Sequence, residues 1–196
     1  MKKLLFLLAA ISLIVFQSCD KIEGPVNEGG GTDTTTTGDS IVTKVFLEDY
    51  TGHGCQTCPR AHEEAQRLKD VYGDRLIIMA IHSSSTWAAP QPVSGKPYSF
   101  LYDFRSAAGN AISIDQGVIN AAQDPLMPYP IGNINRVGLN LWSTWGSSVA
   151  TALAKTAKAG LQVVNGYDSD SRSVSSTVII QSIADQEHQQ KLSVYL

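Results

Sequence analysis

The chain has little cysteine: three residues among 196, at positions 19, 55 and 58. So few exclude a scaffold laced by several disulfides, and they exclude a four-cysteine zinc site. Charge of one sign is scarce too. Fifteen Lys and Arg face 18 Asp and Glu, a net charge of −3, and the cations are scattered, so nothing reads as an electrostatic footprint for nucleic acid. No Gly-rich phosphate loop, nucleotide fingerprint or Ser-His-Asp arrangement occurs, which leaves hydrolase and kinase chemistry without support. A hydrophobic content of 43% does suit a packed core, and the length allows one full domain and the start of another.

The N-terminal apolar run, Leu4 to Phe16, falls short of the roughly 20 residues that span a bilayer. Preceded by Lys2 and Lys3 and followed by small or polar residues, it has the layout of a secretory signal and marks an exported protein. The stretch "VFQSC", with Ser18 directly before Cys19, resembles a bacterial lipobox, in which the cysteine becomes the acylated N-terminus. The alternative is an ordinary signal with an incidental Cys19. Cleavage after residue 18 removes Lys2 and Lys3 and moves the net charge from −3 to −5. Residues 19–40 are rich in Gly and Thr and poor in large apolar side chains, as expected of a disordered tether. Such a coil spans about 25 Å on average. A lipid-anchored protein of the outer membrane results, facing either the periplasm or the outside.

Folding is expected from Ile41. The segment "IVTKVFLEDY" reads as a strand that meets Gly52 and Gly54, and "CPRAHEEAQRLKDVYG" carries Ala61, Ala65, Leu68 and Tyr72 at helical spacing and stops at Gly73. The run "RLIIMAIH" predicts a strand buried on both faces, parallel to the first in a βαβ unit. A loop over 83–97 follows. One or two helices are then expected in "YSFLYDFRSAAGNAIS" and "IDQGVINAAQ". Pro125, Pro128 and Pro130 lead into a short β-prone segment, and "WGSSVATALAKTAKA" reads as a closing helix with Val149, Leu153 and Ala157 on one face. After Gly160 the pattern changes to alternating strand-like runs with polar turns. The expected organisation is therefore a signal at 1–18, a tether at 19–40, an α/β domain at 41–159 and the incomplete start of a β-rich domain at 160–196.

The chemistry concentrates in "LEDYTGHGCQTCPRAHEE". A Cys-x-x-Cys at a strand-to-helix junction places Cys55 at the N-cap or first turn, where free N–H groups and the helix dipole favour the thiolate. Cys58, one turn on, can attack a mixed disulfide and release it. Glu48 and Asp49 end the incoming strand, so one should point under the pair and the other away; a carboxylate there could take a proton from Cys58. Pro130 precedes a strand, and the Tyr129–Pro130 bond is a candidate for cis, although trans is the ordinary preference.

Strand, "CQTC" at a helix start, strand, helices, a proline at the next strand and a closing helix together resemble a thioredoxin-like domain over about Ile41 to Ala159. More closely, "LEDYTGHGCQTCP", "IIMAIH" and "YPIGNINR" resemble the outer membrane protein 28 family of bacterial lipoproteins, a likeness that includes the β-rich, sandwich-like part. It implies importance for Glu48, Thr51, Gly52, Cys55, Cys58, Pro59, Pro130, Asn135 and Arg136. Gln56-Thr57 replaces the Gly-Pro or Pro-His of well-known reductases and oxidases, so the resemblance leaves the direction of electron flow open.

Other uses of these residues compete. Cys55, Cys58 and His62, with His53, have spacing for zinc, but a structural site usually joins two cysteine pairs, and His62 is expected to face solvent. No metal or other cofactor is therefore assigned. A permanent structural disulfide is the stronger rival, since exported proteins keep cysteines oxidised; closing so short a loop stabilises modestly. His82 reads as a satisfied histidine at a strand end and His188 as solvated. Trp87, Tyr98, Phe100, Tyr102 and Phe104 could line a groove for peptide or glycan, but their density in a helical segment predicts core, as for Trp142 and Trp145. Two functions stand: thiol–disulfide exchange on exported proteins, with Cys55 as nucleophile, Cys58 resolving, Glu48 or Asp49 accepting the proton and Pro130 beside the docked substrate; or a surface lipoprotein binding a protein or glycan, with a non-catalytic pair.

Overall fold

The computed structural model describes residues 41–91, 100–184, 192 and 194. The chain divides into two units between Asp39 and Ser40, and the described residues belong to the second. The expected signal, the tether, Cys19, Tyr98 and His188 lie outside the described residues.

The architecture is mixed α/β with two sheets and three helices among the described residues. In chain order the elements are β1 (Val45–Thr51), α1 (Cys58–Tyr72), β2 (Leu76–His82), α2 (Ala107–Asp115), β3 (Ile131–Ile134), β4 (Leu139–Leu141), α3 (Trp145–Leu153), β5 (Ala159–Asp168) and β6 (Ser173–Ser182). Short 3-10 turns lead into β2 and α3. The first sheet has the order β2-β1-β3-β4; β1 and β2 are parallel, and β3 runs antiparallel to both β1 and β4.

Alternation along β1 explains the layers. Val45 and Leu47 point to one face, where they pack with Ala61, Ala65 and Leu68 of α1 and Trp145, Val149 and Leu153 of α3. Tyr50 points to the other, into a second cluster with Ile81, Val118, Ile119, Tyr129 and Ile131. The helical spacing of α1 thus buries the stripe that the sequence predicts, and Gly73 ends the helix at φ 54°, a conformation that glycine adopts without a Cβ penalty.

Three expectations need correction. β2 is an edge strand, and Ile77 is 48% exposed, because its apolar run covers one face and half an edge rather than filling a sheet centre. The segment before α2 is not helical: Phe100, Tyr102 and Phe104 are exposed, and the helix starts only at Ala107, where the Ser106 hydroxyl accepts a hydrogen bond from the Gly109 N–H. The closing helix stops at Leu153, whose carbonyl receives Arg75 Nη2 at 3.0 Å, so Ala157 lies beyond it. The strands expected after Gly160 are present: β5 and β6 pair as a two-stranded antiparallel hairpin, with Leu161, Tyr167, Val174 and Ile180 exposed on one face.

Trp145 fixes how closely α3 approaches the sheet. It is fully buried, donates its indole N–H to the Asn140 carbonyl at 3.1 Å, and lies over Gly132, where a Cβ would come within 2.6 Å of the ring nitrogen. Gly132→Ala is therefore expected to lower stability by about 1–3 kcal/mol, the usual range for overpacking. A shift of the urea midpoint with an unchanged slope would show it; an unshifted midpoint would mean that the indole can move away.

Candidate functional site

Cys55 and Cys58 form a disulfide with their Cα atoms 5.5 Å apart. The helix begins at Cys58, with Thr57 as N-cap and Pro59 in the first turn, so Cys55 lies in the turn before the helix rather than at its cap. Proline suits that first turn because its missing N–H would have had no intrahelical acceptor. The Cys55 N–H donates to the Gly52 carbonyl, and the Gly54 N–H to the Trp87 carbonyl. Any side chain at Gly52 would collide with the Trp87 carbonyl, which accounts for glycine there. Both cysteines are buried, Cys55 at 6% exposure and Cys58 at 2%, so Cys55 is the slightly more exposed residue.

The proline segment lies against this turn. Tyr129 shares the cluster that contains both cysteines, the Thr57 hydroxyl donates to the Tyr129 carbonyl at 3.4 Å, and the Tyr129–Pro130 bond is cis. The Tyr129 hydroxyl pairs with Ser83 at 2.8 Å, and burial pushes its pKa up to about 12, so it stays a neutral hydrogen-bonding group.

Glu48 and Asp49 are both buried, at 0% and 1% exposure, and take different partners on opposite faces of β1. Glu48 Oε1 accepts Arg136 Nη2 at 2.7 Å and Nε at 3.0 Å, and its Oε2 accepts the Tyr50 hydroxyl at 3.2 Å. Burial, then the neighbouring Glu48 carboxylate, raises the Tyr50 pKa far above its ordinary value, so this phenol remains a donor. Asn135 and Arg136 both adopt positive φ, 51° and 55°, as the chain leaves β3. The strain of that turn is offset where Asn135 Oδ1 accepts the Phe46 N–H at 2.8 Å and Arg136 meets Glu48. The resemblance singles out Glu48, Asn135 and Arg136 without pairing them; the Glu48–Arg136 contact joins positions 88 apart.

Asp49 turns to α1. Its Oδ2 lies 3.1 Å from Nε2 of His62, which is also 3.0 Å from the Thr51 hydroxyl. His62 thus faces a buried carboxylate rather than solvent alone, a correction to its expected placement. The hydrogen bond from Asp49 raises the His62 pKa above its ordinary 6.5, against the opposing effect of burial. A group raised in the folded state contributes stability that is fully present below the unfolded value and is lost as pH rises through the folded one. Of the two carboxylates, Asp49 is the one on the α1 face that carries Cys58, four residues before His62.

His53 Nε2–H donates to the Ala89 carbonyl at 2.8 Å, and its ring stacks on Phe100 with centroids 4.9 Å apart. With both sulfurs in a disulfide, the zinc set that sequence spacing offered is not assembled, and no cluster of metal ligands occurs among the described residues. His82 tilts against Phe104, and its buried Nδ1 has no hydrogen-bond partner among the described residues, so it is not the satisfied histidine expected. Burial, then the charges of His53 and His62, lowers its pKa. Trp145 is core as expected, Trp142 and Trp87 are half-buried, and a separate hollow of 340 Å³ between β3, β4 and α3 touches none of the cysteine-site residues.

No family model matches the chain, and no curated protein does either. A crystal structure of a protein from Agrobacterium tumefaciens is similar at a TM-score of 0.45 and 16% identity, over 67% of this chain. This chain spans 55% of that chain's length. A likeness at that level assigns neither fold nor activity.

Proposed function

We propose that the described α/β unit is a thioredoxin-like domain whose Cys55–Cys58 pair exchanges disulfides with exported proteins. One observation carries the reading: the pair stands where β1 gives way to α1 and packs against the Tyr129–Pro130 segment, through the Thr57 hydroxyl and the Tyr129 carbonyl. The strand order, with β1 between a parallel β2 and an antiparallel β3, supports it. In this reading Cys55, the more exposed residue of the two, forms the mixed disulfide, Cys58 resolves it, and Asp49 takes or gives the proton. Glu48, held by Arg136, serves the fold. The substrate backbone docks beside Pro130. In the same reading the chain is a member of the outer membrane protein 28 family, anchored to the outer membrane by a lipid on Cys19, with the β5–β6 hairpin as part of a sandwich-like region; the sequence motifs support this.

A second reading has its own observation. Phe100, Tyr102 and Phe104 are exposed beside His53 and His82, and Tyr102 and Phe104 lie 4.6 Å apart. Such a surface suits binding of a protein or glycan by a surface lipoprotein whose disulfide is only structural.

The reduction potential of the pair separates the two. Mass spectrometry of alkylated thiols after equilibration in graded glutathione buffers is expected to give a value above about −230 mV, in the range of exchange-competent disulfides. A value below about −300 mV would identify a bond that resists the glutathione pool, and the binding reading would stand instead.

A further inference from the structure

We propose that His62 is a proton gate for the Cys55–Cys58 pair, passing protons between solvent and the buried carboxylate of Asp49. The inference rests on the exchange-centre reading and names the residue that makes the opening of the pair depend on pH.

The geometry supplies the outer part of the route, from solvent through His62 to the carboxylate; the last transfer, from Asp49 to Cys58, belongs to the exchange-centre reading. Asp49 is 1% exposed, one of its oxygens contacts His62, and the other, Oδ1, is buried with no hydrogen-bond partner among the described residues. A buried acceptor without a donor is costly, and it is poised to take a proton that a neighbouring group releases. His62 reaches outward with its side chain 49% exposed, into a groove of 470 Å³ between α1 and β2 lined by Asp49, His62, Gln66, Lys69, Ile77 and Ala80. Water in that groove meets the imidazole, while the carboxylate behind it is closed to solvent.

The charged and titratable groups around His62 are few. From β1 there is Asp49, with the neutral Thr51 hydroxyl. From β2 there is His82, whose charge opposes that of His62. Along α1 there is Lys69, whose ammonium is turned to the Gly73 and Leu76 carbonyls, 3.0 Å from each. Asp49 is the anion in contact, and its hydrogen bond keeps His62 protonated to higher pH than an ordinary histidine.

The step balances with a dithiol as the reductant. A thiolate of the dithiol attacks Cys55 Sγ, the Cys55–Cys58 bond breaks, and Cys58 leaves as a thiolate. Cys58 takes a proton by way of Asp49, which His62 resupplies and solvent returns to His62. The second thiol of the reductant gives its proton to solvent and displaces Cys55, which leaves as a thiolate and is protonated in turn. Two electrons pass to the pair, the dithiol becomes a disulfide, and two protons end on Cys55 and Cys58.

The test is the rate at which dithiothreitol opens the pair in the full chain, corrected for the reagent's thiolate fraction, across about pH 5 to 9, where histidine titrates. In the wild type the corrected rate is expected to fall as pH rises through the value at which the His62 ring titrates by NMR. His62→Gln should remove that bend and slow opening on the acid side by about tenfold, below the usual 10²–10⁴ of a positioned acid because water replaces part of the relay. His62→Lys keeps a cation beside Asp49 but does not titrate near neutrality. It should retain stability and still lose the bend. A bend that survives in either variant, or an unchanged rate in His62→Gln, would overturn the gate. Loss of exchange with protein substrates alone, with the His62-dependent bend intact for dithiothreitol, would remove the exchange-centre reading and leave the gate standing.

Discussion

Cys55→Ser is expected to abolish thiol–disulfide exchange, a loss of at least about 10³-fold, equivalent to some 4 kcal/mol in the barrier. Cys58→Ser should instead accumulate mixed disulfides, because the sulfur that would release the partner is gone. The two variants are distinguished by non-reducing gels of the full chain incubated with a reduced or oxidised protein substrate, followed by mass spectrometry of the trapped species. The asymmetry follows from placement: Cys55 precedes the helix and is the more exposed, whereas Cys58 is its first residue and nearly closed to solvent. Equal behaviour of both variants and the wild type would sink the exchange reading. The fold should survive either change, since a bond between residues three apart contributes only about 2 kcal/mol on a loop-entropy basis.

The largest effect on stability is expected at Arg136. Arg136→Met takes the guanidinium from a fully buried carboxylate, and breaking such a pair costs about 3–5 kcal/mol. The low end applies, because the Arg136 side chain is 30% exposed and water can partly replace it. Urea unfolding of Arg136→Met, Glu48→Gln and the double variant would measure the coupling. The double variant should recover most of the loss, since no buried charge then lacks its counterpart. Additive losses would mean that the two residues act independently and that the turn at Asn135 and Arg136 is held by other contacts.

Several parts of this protein were legible without coordinates. The apolar spacing of Ala61, Ala65 and Leu68 predicted which stripe of α1 is buried, and the glycine at position 73 predicted where the helix stops. The parallel pairing of β1 with β2 followed from a strand, a helix and a strand in succession. Period-two alternation required Glu48 and Asp49 to part company. It could not say that both would be buried, because that depends on partners far along the chain.

Other features escaped for identifiable reasons. An apolar run like "RLIIMAIH" looks the same in a central strand and in an edge strand packed on one face, so the position of β2 awaited the sheet order. The aromatic density of residues 98–104 suggested a helix in the core, yet Phe100 and Phe104 lie outside helix, against His53 and His82. By sequence alone His62 has the spacing of a weak zinc ligand and the look of a solvated helix residue. A signal was there, since it follows Cys58 by one helical turn, but its contact with Asp49 depends on how α1 packs over β1.

The sequence by itself determined the local chemistry: a cysteine pair at a strand-to-helix junction, a helix with one buried stripe, two adjacent carboxylates on opposite faces. These follow from backbone periodicity and need no knowledge of distant residues. Only the tertiary structure decided which carboxylate meets Arg136 and which meets His62, which strand is central, and which aromatics face water. Those outcomes are set by contacts across 13 to 88 positions of chain, where packing and the pairing of buried charge, rather than local preference, choose the partner.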